Sequence, residues 1–346
     1  MTTLSEVYRD NPVSDHHITP LDFDLIDGRV PESHLWPQFV EPGNKTQTRN
    51  LQDSPIPVID LTSPDARNLI GQACETWGMF QVVNHGVPLE LVNKVESESR
   101  RLFALPTHEK RTVLRSADAA TGYGSARISS YFEKGMWHEG FTIMGSCVGD
   151  AKVLWPHDYQ RFCDTMDAYQ NHMKLLTHNL LLIILETLGV TQEEMNWANS
   201  THDSQGALQL NSYPSCPNPS QAVGLAPHTD SLLLTLLNQN DISGLEIFVD
   251  GLGWSQVQPV EGAFVVNVGD LLHIFSNAKF PVVSHRAMVN QSKHRISVAY
   301  FHGPPVDSRL APSSKFEKPC FKPLLVKEYV SLKTKHFSKA LSLIRT

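Results

Sequence analysis

Apolar residues recur along this chain with two different periods, and the change from one to the other falls near residue 206. Ahead of that point the spacing is mostly helical. Ser63-Pro64 reads as an N-cap and first helical position. Ala66, Leu69, Ile70, Ala73, Cys74 and Trp77 then share one helical face, with Gly78 as a stop. A second helix follows Pro88 through Leu91, Val95 and Leu102, and a long one runs from about 158 to 188, ending at Gly189. Short strands are predicted at Ile56–Asp60 and Met79–Asn84, and irregular strands and loops over the Gly-, Ser- and aromatic-rich residues 115–155.

After residue 206 short apolar runs alternate with Gly, Pro, Asn and Asp. The runs are LQLNSY, LLLTLL, GLEIFV, SQVQPV, AFVVNV, VVSHRAMV and RISVAYF. Regularly spaced short strands predict an all-β sandwich or barrel, the jelly roll being one option. A C-terminal helix over roughly 326–343 closes the chain. Helices first and strands later predict an α+β fold with a helical cover on a β core. Residues 1–54, rich in Pro, His and polar groups, read as an arm with little regular structure.

Composition narrows the function. Hydrophobic residues make up 41% and charged residues 19%, and the net charge of −7 comes with dispersed Lys and Arg. No basic stripe invites nucleic acid. The longest apolar run, Leu180–Leu185, is far too short for a bilayer. The odd set Cys74, Cys147, Cys163, Cys216 and Cys320 contains no CxxC pair and reads as reduced thiols. A cytoplasmic protein without membrane or nucleic-acid partners is expected.

His228-Thr-Asp230 is the first chemical signal, because side chains at i and i+2 of an extended segment share a face. Alone it means little: 16 His and 36 acidic residues make an H-x-[DE] match expected by chance. His285, in a later β-branched run, supplies a third ligand. Two His and one carboxylate leave open positions that suit Fe(II). Arg295-Ile-Ser297 follows on a late strand, where the Arg fork and the Ser hydroxyl suit the distal carboxylate of 2-oxoglutarate. Tyr213 and Asn211 stand ready to assist. A second R-x-S, Arg127-Ile-Ser129, lies outside the β-rich half. His85, His138, His273, His294 and His302 read as surface or turn histidines.

Read together, LNSYPSCPNP (210–219), GLAPHTDS (224–231), VVNVGDLLHIFSN (265–277), SHRAMVN (284–290) and HRISVAYFHGPP (294–305) resemble the plant 2-oxoglutarate-dependent oxygenases. IPVIDL (56–61) and WGMFQVVNHGVP (77–88) resemble the N-terminal half of that family. The resemblance implies a double-stranded β-helix (jelly-roll) core over 201–310, a mixed helical region over 55–200 and a C-terminal helix within 311–346. It also implies Fe(II), 2-oxoglutarate and O2, with ascorbate as reductant. GYGSARISSYF (122–132), MWHEGFTI (136–143) and HFSKALSLIR (336–345) are similar to the gibberellin 3-oxidase group. That likeness implies 3β-hydroxylation of a gibberellin, a small diterpenoid acid; a monomer is expected.

On this reading Arg127, flanked by Ser129, meets the substrate carboxylate, and Phe132, Trp137 and Phe141 supply apolar walls. His138, where Ser is expected, and Pro227, where a small residue is usual, depart from the pattern. The alternatives are 2β-hydroxylation, oxidation of another plant metabolite such as a flavonoid, and a non-catalytic ligand-binding jelly roll. The last predicts a broken triad or a missing Arg, whereas His228, Asp230, His285, Arg295 and Ser297 are all present.

Overall fold

The computed structural model describes residues 2–14, 17–36, 55–198 and 205–346. Its strands are β1 (Val58–Asp60), β2 (Met79–Val83), β3 (Gly122–Gly124), β4 (Glu139–Ile143), β5 (Gln205–Tyr213), β6 (Leu225–His228) and β7 (Leu234–Asn238). They continue as β8 (Leu245–Val249), β9 (Gly253–Gln256), β10 (Phe264–Val268), β11 (His285–Ala287) and β12 (Arg295–Gly303). Among the described residues, an eight-stranded sheet runs β1-β2-β10-β7-β12-β5-β4-β3 and faces a four-stranded sheet, β6-β11-β8-β9. The two form the jelly roll, and β1 to β4, from the helical half, extend its larger sheet.

The period-2 alternation of β12 shows why the sheets face each other. Ile296, Val298 and Tyr300 join the core beneath the helices. Ala299 packs on the opposite face with Leu237, Leu245, Ile247 and Val265, between the sheets. Arg295 and Ser297 share the side of Ala299, so the strand aims its polar residues into the barrel. On β5 the same alternation sends Leu208 and Leu210 to the helices and leaves Asn211 and Tyr213 inside.

Helices Ala66–Thr76, Leu89–Phe103 and Tyr159–Leu188 cover the outer face. The long helix buries Met166, Met173, Leu180 and Ile184, each stabilising the fold by roughly 1.5–3 kcal/mol. It stops at Gly189, whose φ of 72° is the left-handed cap geometry. None of the described helices is long and apolar enough to cross a membrane.

Several expectations shift. The helix predicted after Ser63-Pro64 starts at Ala66, not at Pro64. Ser63 instead accepts from the Asp65 amide at 3.3 Å in a turn before it. The arm is more regular than its composition suggests. Thr3 and Glu6 close a capping box on helix Leu4–Arg9, whose Leu4 and Val7 enter the main core. Asn11 then donates to Ser331 of the C-terminal helix at 3.0 Å. Positions 37–54 of the expected arm lie outside the described residues. The C-terminal helix runs only over Val326–His336, because Phe337 takes φ 48° and stacks on Tyr131 at 4.4 Å before a last turn, Ala340–Leu343.

Candidate active site

His228, at the end of β6, pairs directly with His285 of antiparallel β11, which brings the two imidazoles to a centroid distance of 4.2 Å. Asp230 lies just past the strand, on the segment 229–233 between β6 and β7 that bends at Leu232–Leu233. Its Oδ1 sits 3.9 Å from His228 Nε2 and 3.7 Å from His285 Nε2. One ligand atom from each of the three lies within 4.8 Å of the others.

Each side chain is braced from behind. A carbonyl only accepts, so His228 Nδ1–H donates to Ala226 O at 2.9 Å and His285 Nδ1–H to Val283 O at 3.2 Å. That leaves the Nε2 atoms of both rings facing Asp230, the nitrogens a metal would use. Asn267 Nδ2 holds Asp230 Oδ2 at 2.9 Å and turns Oδ1 toward the imidazoles. Burial, followed by the neighbouring His285, pushes His228 down to about 3, so it is neutral. Burial raises Asp230, but His285, His228 and Asn267 outweigh it and hold the carboxyl below its usual range. The two imidazole nitrogens and the carboxylate converge on one point, a donor set that fits a divalent metal.

The bend owes its shape to Gly269, where an added Cβ would stand 2.0 Å from Leu232 O. That close approach lets Asp270 N–H reach Asp230 O at 2.8 Å and Leu271 N–H reach Leu232 O at 3.2 Å. Pro227 is harmless here because β6 is a sheet edge.

Deeper in the barrel Arg295 is 2% exposed. Its Nε–H donates to Ile242 O at 3.0 Å, and its guanidinium lies 5.1 Å from the Tyr213 ring centre. Among the described residues no carboxylate neutralises it. A buried cation without an anion is costly, so the position fits an anionic ligand. Ser297, Tyr213 and Asn211 surround it: Asn211 Nδ2 donates to Ser297 Oγ at 3.4 Å, and Tyr213 interacts with both Arg295 and Ser297. His138 joins this group unexpectedly, donating from Nε2 to Asn211 Oδ1 at 3.0 Å with its ring 5.2 Å from Tyr213.

The substrate candidates scatter. Arg127 donates to Asn11 O at 2.8 Å and Ala119 O at 3.2 Å, with its guanidinium 4.4 Å from the Tyr8 ring centre. With Tyr131, Thr229, Lys333 and Phe337 it borders a cavity of about 70 Å³ beside the H-x-D bend. Ser129, Phe132 and Trp137 do not line that cavity. Ser129 is buried against Met136, Phe132 packs between Trp36 and Phe337, and Trp137 donates to Pro214 O at 3.0 Å within a cluster around Tyr213. Phe141 belongs to the core, edge-on to Phe162.

The histidines set aside divide differently than expected. His85 is the turn residue foreseen, accepting from Val87 N–H, and His294 is only partly buried against Ser212. His138, His273 and His302 are buried, at 1%, 7% and 1% exposure. Sequence reasoning also passed over Asn267, although an Asn inside the apolar run VVNV is a legible polar break. It passed over Asp270 and Lys333 too, which no local pattern joins.

A jelly roll carrying a braced His/Asp/His set and a buried Arg defines a non-haem iron oxygenase. Residues 204–304 match the 2OG-Fe(II) oxygenase superfamily, and residues 56–161 match the non-haem dioxygenase in morphine synthesis N-terminal family. In fold the chain is similar to JOX2 solved in complex with 2OG, Fe, and JA (TM-score 0.79, 27% identity, 92% of this chain and 94% of that one). It is also similar to the rice dioxygenase for auxin oxidation (TM-score 0.68, 25% identity, 84% and 100%). Its sequence is 47% identical to gibberellin 3-beta-dioxygenase 1 of Pisum sativum over 100% of this chain and 94% of that one. It is 45% identical to gibberellin 3-beta-dioxygenase 1 of Arabidopsis thaliana over 99% and 98%. The chain belongs to the gibberellin 3-beta-dioxygenase family of 2-oxoglutarate- and Fe(II)-dependent oxygenases.

Proposed function

We propose that the protein hydroxylates a precursor gibberellin at C3 on the β face, with His228, Asp230 and His285 as the iron ligands. The observation that carries this reading is the 47% identity to a gibberellin 3-beta-dioxygenase over the whole chain. Ferrous iron bound there supplies coupled oxidation: 2-oxoglutarate and O2 become succinate and CO2, and the second oxygen atom enters the substrate as hydroxyl.

Arg295 and Ser297 take the distal carboxylate of 2-oxoglutarate, with Tyr213 and Asn211 closing around it. The free charge of Arg295 supports that role. Arg127 is the anchor for the gibberellin carboxylate. Phe132 borders the approach through Phe337, while Trp137 and Ser129 act from behind by fixing Tyr213 and the Met136 region. A cavity of about 70 Å³ is too small for a diterpenoid, since drug-sized ligands fill roughly 300 Å³ or more. Substrate entry therefore displaces Tyr8 and the arm segment leaning on Arg127. We read the enzyme as a cytoplasmic monomer using ascorbate to keep iron ferrous. Its five cysteines are all unpaired, as reduced thiols would be.

The test is anaerobic reconstitution with Fe(II), then exposure to oxygen with 2-oxoglutarate and a gibberellin unsubstituted at C3, with products resolved by chromatography and mass spectrometry. The expected result is one added oxygen at C3 with succinate in equal amount. A 2β-hydroxylated isomer as main product would overturn the positional assignment. Turnover of a flavonoid but of no gibberellin would overturn the substrate class.

A further inference from the structure

The C-terminal helix reaches the segment between His228 and Asp230 through a hydrogen bond from Lys333. Lys333 is 8% exposed, and its ammonium donates to Thr229 Oγ1 at 2.7 Å and to Asp270 Oδ2 at 2.6 Å. Thr229 stands between the two ligands of the H-x-D motif. Asp270 touches the same segment from the other side, its backbone N–H donating to Asp230 O at 2.8 Å. Tyr329, one helical turn before Lys333, donates its hydroxyl to the same Asp270 oxygen at 2.7 Å. Thr229 and Asp230 are thus tied by one ammonium and one backbone amide to a helix some hundred residues later in the chain. Asp270 is fully buried, so its ion pair with Lys333 is little screened by solvent.

We propose that Lys333 is a positioning residue for the metal site: by bridging Thr229 and Asp270 it fixes the bend that holds His228 and Asp230 in ligating geometry. It does not touch the ion. Groups that orient ligands from behind commonly set metal affinity by about ten- to a hundred-fold when removed. The bridge also makes the site depend on the docking of helix Val326–His336. The inference rests on the reading of His228, Asp230 and His285 as ligands. That reading fails separately, and visibly, if the unmodified protein does not bind one equivalent of metal.

The test is titration of the metal-free protein with Co(II), followed by its visible absorption, together with the melting temperature of the metal-free form. Lys333→Met is expected to weaken Co(II) binding by about ten-fold or more, while Lys335→Met, at an exposed site on the same helix, leaves it unchanged. Lys333→Arg, which keeps a cationic donor, should recover part of the affinity. Thr229→Val leaves the Lys333–Asp270 pair in place and guards against misfolding. It is expected to weaken Co(II) binding several-fold with little change in the metal-free melting temperature. A Thr229→Val protein binding Co(II) within two-fold of the unmodified protein would overturn the proposal, as would a folded Lys333→Met protein doing so.

Discussion

Replacing His138 with Ser tests the electrostatics of the barrel floor. The imidazole is 1% exposed and donates from Nε2 to Asn211, and its Nδ1 has no partner in the structure. Burial first, and Arg115 after it, push the ring down to about 4 against the opposing hydrogen bond of Asn211. In the unfolded chain the same ring takes its proton near 6.5. Between these values the unfolded state binds more protons than the folded one, so stability is fully present above about pH 6.5 and is lost as pH falls toward 4. Each pH unit in that window costs about 1.4 kcal/mol per histidine, which makes about 2 kcal/mol at pH 5. His302, also held at about 4 chiefly by burial, adds a similar loss. Urea unfolding followed by circular dichroism at pH 7.5 and pH 5 measures the difference. The His138→Ser protein should lose about 2 kcal/mol less stability between the two than the unmodified protein. Equal losses would mean that residue 138 is not a buried neutral base, and the account of this pocket would fall.

Other outcomes follow from the same geometry. Arg295→Lys keeps the charge but loses the planar fork, so KM for 2-oxoglutarate should rise by about ten-fold or more in a succinate assay. Gly244→Ala would put a Cβ 2.8 Å from Met288 O and 2.9 Å from Arg295 Cδ. The same KM should rise and the melting temperature fall, even though residue 244 touches no ligand. Arg127→Ala should raise KM for the gibberellin strongly while substrate-independent 2-oxoglutarate turnover survives; unchanged steady-state constants would remove Arg127 from the site. Lys110→Met strands Glu139, a carboxylate 2% exposed that Lys110 pairs with at 2.7 Å. It should destabilise the fold by about 3–5 kcal/mol in urea titrations.

What the sequence made legible was whatever has a short period. Strand β12 announces itself by alternation, and its parity alone sends Arg295 and Ser297 to the same side. His228 and His285 meet by cross-strand register, which a one-residue slip would destroy; the pattern of apolar runs predicts the two strands without fixing that register. Helix Asp270–Phe275 was hidden because VVNVGDLLHIF reads as one apolar run, and its fully buried residues carry no face to detect. The arm was misjudged for the opposite reason. Its Pro and His suggested irregularity, whereas Thr3 and Glu6 carried a capping signal and Val7 a core contact. His138, His273 and His302 were misplaced because burial of a polar ring depends on tertiary partners that sequence spacing does not encode. Arg127 stands out in its own R-x-S motif, but the carbonyls of Asn11 and Ala119 that it engages lie on segments no motif connects to it.

Helix Leu4–Arg9 and the segment after it lean on helix Val326–His336, and that helix in turn grips the bend between two ligands. During synthesis His228, Asp230 and His285 leave the ribosome before the last helix does. A product cut short near residue 320 would therefore keep all three candidate ligands while lacking the side chain that joins Thr229 to Asp270. On the proposed role of Lys333, such a product would bind metal more weakly than the finished chain, because nothing bridges Thr229 to Asp270.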